Sequence, residues 1–212
     1  MTIQKKDSSI YYFYRSQWKQ FREKFFGVFI FSAALFILTA VLAYIYFLYH
    51  PEQAQSVFAK LAEILRSKIP LQSGFNQALA IFINNSVGSF LSLFLGLIPF
   101  LFLPVLSILT NGTAMGIVSA VSAAQGIDPF KVFISIAPHG LLELPALFYA
   151  AGLGIYISRE IIKHLFFPES VKESFTSLLK QIFTTFITVV LPLLLIAALI
   201  ESFITPVLIS FF

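Results

Sequence analysis

From Ala78 to Ala124 the chain runs for 47 residues without a single Asp, Glu, Lys or Arg. A soluble domain carries about 25% charged residues, whereas the whole chain here has 11% against 58% hydrophobic. So few charges cannot cover the surface of a soluble protein of 212 residues, and the apolar content excludes a disordered one. The absence of cysteine excludes a disulfide scaffold, a thiol enzyme and a Cys zinc site. A polytopic membrane protein remains. At about 20 residues per span, the apolar runs predict an all-α transmembrane bundle of five spans with interfacial amphipathic helices.

The expected spans are 25–49, 79–97, 100–124, 130–158 and 181–206, so residues 25–212 form the membrane domain. Within the uncharged stretch, Pro99, Pro104 and Asn111-Gly112 are the candidate breaks. Either two spans meet near Gly96 to Pro99, or one long span ends near Thr110 and a half-length segment follows. Charge parity selects two spans. Arg159, Lys163, Lys172 and Lys180 lie in the loop before the last span, and basic loops stay cytoplasmic. That puts ten basic residues inside and four (Lys60, Arg66, Lys68, Lys131) outside, with the N-terminus in and the C-terminus out of a multi-pass cell-membrane protein.

Residues 1–24 hold six basic residues next to the first apolar run, which points to anionic lipid rather than nucleic acid. There Tyr11, Tyr14, Trp18, Phe21 and Phe25 repeat on one helical face, the pattern of an interfacial helix. Between the first two spans, Phe58, Leu61, Ala62, Leu65 and Ile69 predict a second amphipathic helix, ended near Pro70 and Ser73-Gly74. Pro168 and the 169–180 stretch are expected to form a surface helix, with the fifth span beginning near Phe183 and interrupted by Pro192, Glu201 and Pro206.

Polar groups inside spans avoid lipid, so they mark protein contacts or a cavity. His139 and Glu143 share a helix face with Ala146, Ala150 and Gly154, and Pro138 precedes the pair. This pair closes a packed interior by a hydrogen bond, handles a ligand or a proton, or lies at the boundary near the water surface. Asn85, Ser89, Ser92 and Gly96 form a polar face beside Asn84 and Gly88, better suited to interhelical packing than to ligand contact. Gly112, Gly116, Ala120 and Ala124 form a small-residue ridge that lets backbones approach closely; Asn111-Gly112 is also a candidate kink. Glu201 is a further intramembrane ionisable group. A ridge left open after packing within the chain allows a homo-oligomer.

There is no HExxH, GxSxG, phosphate-binding glycine loop or dinucleotide fingerprint. One His and one Glu give two metal ligands where zinc needs three or four. No catalytic residue, metal or cofactor is therefore assigned. The set Asn84-Asn85, Asn111-Gly112 and Pro138-His139-Gly140 with Glu143, followed by Gly152-Leu153-Gly154, resembles the stage II sporulation protein M family of small bacterial and archaeal membrane proteins. The resemblance covers residues 76–160, and Asn85, Asn111, Gly112, Pro138, His139 and Glu143 match the family pattern. It implies a membrane anchor: the family's namesake recruits peptidoglycan-degrading partners to the septum during engulfment, although many relatives belong to organisms that never sporulate. Three functions follow in order: a scaffold for membrane or envelope protein partners, a transport component with a polar intramembrane site, and an intramembrane hydrolase using His139 and Glu143.

Overall fold

A computed structural model describes the backbone of residues 3–69, 74–170 and 173–209, with side chains of 10–69, 74–128, 140–169 and 173–207. Every regular element among them is helical: α1 (Ile3–Gln20), α2 (Phe26–Leu48), α3 (Pro51–Lys68), α4 (Phe75–Leu95), α5 (Pro104–Ala124), α6 (Pro129–Phe166), α7 (Phe175–Thr185), α8 (Leu191–Leu199) and α9 (Thr205–Ile209). Single π-turns join α1 to α2 (Phe21–Phe25), α7 to α8 (Phe186–Val190) and α8 to α9 (Ile200–Ile204). Five helical runs are long and apolar enough to cross a bilayer: Ile10–Leu48, Phe75–Leu95, Pro104–Ala124, Gly140–Phe166 and Phe175–Val207.

The bundle is organised around α6. Every residue from Ala146 to Ser158 is buried, which requires neighbours on all sides of the helix. α2, α4, α5 and α8 supply them. Tyr149, Leu153 and Ile157 pack with Phe25, Ile182, Val190 and Leu194, while Phe148, Ala151 and Ile155 pack with Phe36 and Ile108. The outer helices instead present Ile37, Leu42, Val87 and Leu106 outward, as lipid-facing positions should.

The 47-residue apolar stretch is two helices joined at Gly96–Leu103, with Pro104 at the first turn of α5, where its missing N–H costs no hydrogen bond. At the candidate break Asn111-Gly112, α5 remains one continuous α-helix. The strained backbone lies in the connection instead, at Phe100 (φ 71°) and Phe102 (φ 45°). At its other end α5 closes in a Schellman motif. Gly126 takes φ 69°, its N–H bonds the Ala123 carbonyl, and the Ile127 N–H bonds that of Ser122.

The last run differs from expectation as well. Among the described residues a single 3-10 turn, Pro168–Ser170, stands where the surface helix was expected, and from Phe175 onward that stretch belongs to α7, which is capped by the Ser174 hydroxyl and continues into the span. Pro192 and Pro206 do not interrupt it. A helical proline clashes with the carbonyl four residues earlier. Those carbonyls belong to Thr188 and Ser202, and both lie in the π-turns, which absorb the missing bond.

A straight helix from Ile10 to Leu48 would be about 58 Å long, nearly twice the hydrocarbon thickness. The π-turn at Phe21–Phe25 breaks its regular hydrogen-bond ladder, and Phe25 departs to φ −109°. Within this turn the Phe21 ring meets Phe29 at 5.5 Å and Tyr149 at 5.2 Å. Gln17 of α1 is buried, where it accepts a hydrogen bond from Thr185 Oγ1 at 2.8 Å. The aromatic face predicted for this segment is thus divided. Phe25 lies in the core, while Tyr11, Tyr14 and Trp18 remain exposed. Helix α3 is also present, but it docks on α5 and α2 through Ala54, Val57 and Leu61, leaving Leu65 outward. Its expected stop at Pro70 to Ser73 lies outside the described residues.

Candidate functional site

Small residues set the distances between the helices that carry the polar groups. A Cβ added at Gly96 would overlap the Gly154 backbone. One added at Gly154 would sit 2.8 Å from both the Ser92 carbonyl oxygen and Pro104 Cγ. These contacts bring α4, α5 and α6 together at one junction. Ser158 Oγ closes it by donating to the Gly96 carbonyl at 2.8 Å, and Ser92 Oγ reaches that of Pro104 at 3.4 Å. The glycine ridge of α5 has a different partner. A Cβ at Gly112 or Gly116 would strike the α2 carbonyls of Phe36 (2.8 Å) or Ala40 (2.5 Å). The GxxxG motif is therefore consumed within the chain. Ala150, fully buried, lies on the α6 ridge that fills the core. Gly88 was expected among the packing residues; it faces open space instead. Among the described residues, a Cβ at Gly140 would meet Leu144 of its own helix, at 3.5 Å.

Above the junction lie the amides. Asn85 is seven residues from Ser92 along α4, and Asn111 seven from Pro104 along α5. Both are therefore about 10 Å from the junction, on neighbouring helices. Asn84 and Asn85 are half-buried, and Asn84 Nδ2 donates to Asn85 Oδ1 at 3.2 Å. Beside them, Ser86 Oγ is buried with no hydrogen-bond partner among the described residues. Asn111 is exposed, and its Nδ2 donates to the Ser107 carbonyl of its own helix at 2.8 Å. Glu143 is half-buried, eleven residues above Gly154 on α6. Pro138 and His139 lie in α6, but their side chains are outside the described residues. Glu201 is half-buried in the last π-turn, and the neighbouring Ser202 is fully buried. Ser202 Oγ donates to the Gly74 carbonyl at 2.6 Å and accepts the Gly74 N–H at 3.1 Å, pinning the start of α4 to the last span. No group of three or more His, Asp or Glu among the described residues is arranged to hold a metal.

Sequence reasoning missed a second polar cluster, at the end of the bundle where α6 and α7 meet the start of the first span. Lys24 Nζ bonds Glu173 Oε2 at 2.9 Å and Gln181 Oε1 at 3.0 Å. Lys163 Nζ bonds Glu160 Oε1 at 2.7 Å, and the Arg159 guanidinium lies 4.6 Å over the Tyr156 ring. The Lys24 hydrogen bond holds the Glu173 carboxyl below its ordinary range. The only advance signal was the basic count of the two segments, which gave no register between residues about 150 positions apart.

A family model described as Stage II sporulation protein M matches residues 32–206. No curated protein and no solved structure matches the chain.

Proposed function

The chain belongs to the stage II sporulation protein M family, and from that premise we propose that it is a non-enzymatic membrane scaffold that binds the transmembrane helix of a partner protein along the amide-bearing side of α4 and α5. One observation carries this reading: Asn111 is exposed inside an apolar helix. It lies about 10 Å from the end of α5, within a hydrocarbon layer of about 30 Å. An amide there seeks a hydrogen-bonding neighbour, since lipid offers none. One Nδ2 hydrogen is spent on Ser107, which leaves the second N–H as a donor and the carbonyl oxygen as an acceptor at the surface. A partner helix carrying a hydroxyl or amide donor satisfies it, for about 1 kcal/mol. The junction and the α2–α5 ridge, both backbone-close, give the face a rigid base.

The test exploits the natural lack of cysteine. Single cysteines are placed by Ala114→Cys, one turn along α5 from the intact Asn111, and, as a lipid-facing control, Ile37→Cys, and cross-linked in native membranes. A discrete adduct at position 114 and none at 37 is expected. Asn111→Leu in the full chain should weaken the partner complex about fivefold without lowering the melting temperature. Equal adducts at both positions, or a complex indifferent to Asn111→Leu, would refute the scaffold reading.

The equal height of Asn85 and Asn111, with buried Ser86 beside them, favours a second reading: a polar path for a small solute. Solute flux in reconstituted vesicles that disappears with Asn85→Leu, with no partner adduct at 114, would select it.

A further inference from the structure

The cluster at the α6–α7 end lines a half-open cavity of about 300 Å³, walled by Lys24, Glu160, Lys163, His164 and Glu173 with Tyr156 at one side. That is the lower end of the range for small-molecule sites, about 300–1,000 Å³. We propose that it binds a zwitterionic phosphoammonium group of the ethanolamine type, with the phosphate between Lys24 and Lys163 and the primary ammonium between Glu160 and Glu173.

Charge balance selects this chemistry. Two ammonium groups and two carboxylates line the cavity, so a simple anion meets two repelling carboxylates and a simple cation two repelling lysines. A molecule carrying both charges opposes neither. The pairs already formed, Lys24 with Glu173 and Lys163 with Glu160, show that the four groups are placed for charge-assisted hydrogen bonds at 2.7–2.9 Å. His164 distinguishes the two ends of the ligand. Its Nδ1 lies 2.7 Å from the Glu160 carbonyl oxygen and therefore carries the proton. In the neutral ring Nε2 is then an acceptor, and it is buried with no partner among the described residues. A ligand N–H supplies the missing donor; a phosphate oxygen does not. A quaternary choline nitrogen has no N–H to offer, so the site favours a primary amine.

The cavity also sits where such groups occur. Lys24 is two residues before α2, and Glu160 to His164 follow the last buried stretch of α6, so the site borders the apolar layer. Tyr156 and Leu178 provide an apolar wall for a glycerol backbone. The same chemistry is presented by a phosphatidylethanolamine headgroup and by free phosphoethanolamine.

The test uses the full chain in nanodiscs of phosphatidylcholine. Phosphatidylethanolamine or phosphatidylglycerol is titrated in, and binding is followed by native mass spectrometry and by the melting of the protein. The ethanolamine lipid should bind about tenfold tighter than the glycerol lipid, and Lys163→Gln should cost it about tenfold, the loss of one charged hydrogen bond. Glu173→Gln should erase the preference for ethanolamine over glycerol. Free phosphoethanolamine is the second arm: protection by it at matching concentration assigns a soluble ligand, and protection only by the diacyl form assigns a lipid. Either result sustains the site. Equal or tighter binding of phosphatidylglycerol by the unaltered chain overturns it, and that comparison does not depend on the folding of any variant. Ethanolamine binding unchanged in both Lys163→Gln and Glu173→Gln overturns it too.

Discussion

Replacing Gly154 with alanine tests the packing on which every polar position depends. The new methyl would approach Pro104 Cγ and the Ser92 carbonyl oxygen at 2.8 Å, and Pro104 Cβ at 3.1 Å. Ordinary contact begins near 3.4 Å, so the closest atoms are about 0.6 Å too near. Neither obstacle is the end of a flexible side chain. One is backbone of α4 and the other a proline ring fixed in the first turn of α5, so α6 must move away from both helices. Overpacking of this kind costs about 1–3 kcal/mol. The helix gains up to about 1 kcal/mol from losing a glycine. The net expectation is a destabilisation of up to about 2 kcal/mol, and of about 1–3 kcal/mol relative to a glycine-to-alanine change that meets no obstacle. Gly88→Ala provides the internal control: nothing lies within 4 Å of its Cβ position, so only the propensity gain operates and the protein should become slightly more stable. Reversible unfolding in mixed detergent–SDS micelles measures both. The reasoning fails if Gly154→Ala is as stable as Gly88→Ala, because the three-helix contact would then not be close-packed.

Ser158→Ala removes a fully buried hydroxyl bonded to the Gly96 carbonyl and should cost about 1 kcal/mol, whereas Ser119→Ala, whose hydroxyl serves its own helix at Met115, should cost much less in the same assay. The tie between Lys24 and Glu173 should depend on pH. The folded carboxyl titrates below its ordinary range, so the tie stabilises the fold fully above the unfolded pKa and is lost as pH falls through the depressed folded value. Melting curves of the natural chain and Glu173→Gln should therefore converge in acid; a constant gap at all pH values would contradict this. For orientation, Gln125→Cys should react with an impermeant maleimide in intact cells and Ser16→Cys only after lysis; the reverse pattern would overturn the N-in topology.

How much was readable in advance follows from the range of each force. Hydropathy acts residue by residue, so the uncharged stretch, the five crossings and the separation of α4 from α5 could be read directly. So could the function of Ala146, Ala150 and Gly154 as a packing ridge, because helical periodicity places them on one side. What failed was local weighting of punctuation. Asn111-Gly112 looked like a break, yet Gly112 is held inside α5 by its contact with Phe36 and Thr39 of α2. Pro192 and Pro206 looked like interruptions, yet one extra residue in each preceding turn accommodates them.

The sequence by itself determined that this chain is a membrane protein and which of its segments are long and apolar enough to cross a bilayer. It also supplied the family pattern. Only the tertiary structure decided which helix would be the hub, that the GxxxG ridge is used up against α2, and that Asn111 is left on the outside. It alone brought Lys24 to Glu173 and Gln17 to Thr185 across more than 140 positions. The physical reason is that transfer from water to lipid is a sum over single residues. Close packing and charge pairing depend on the distance between residues remote in sequence, and that distance exists only once the helices have assembled.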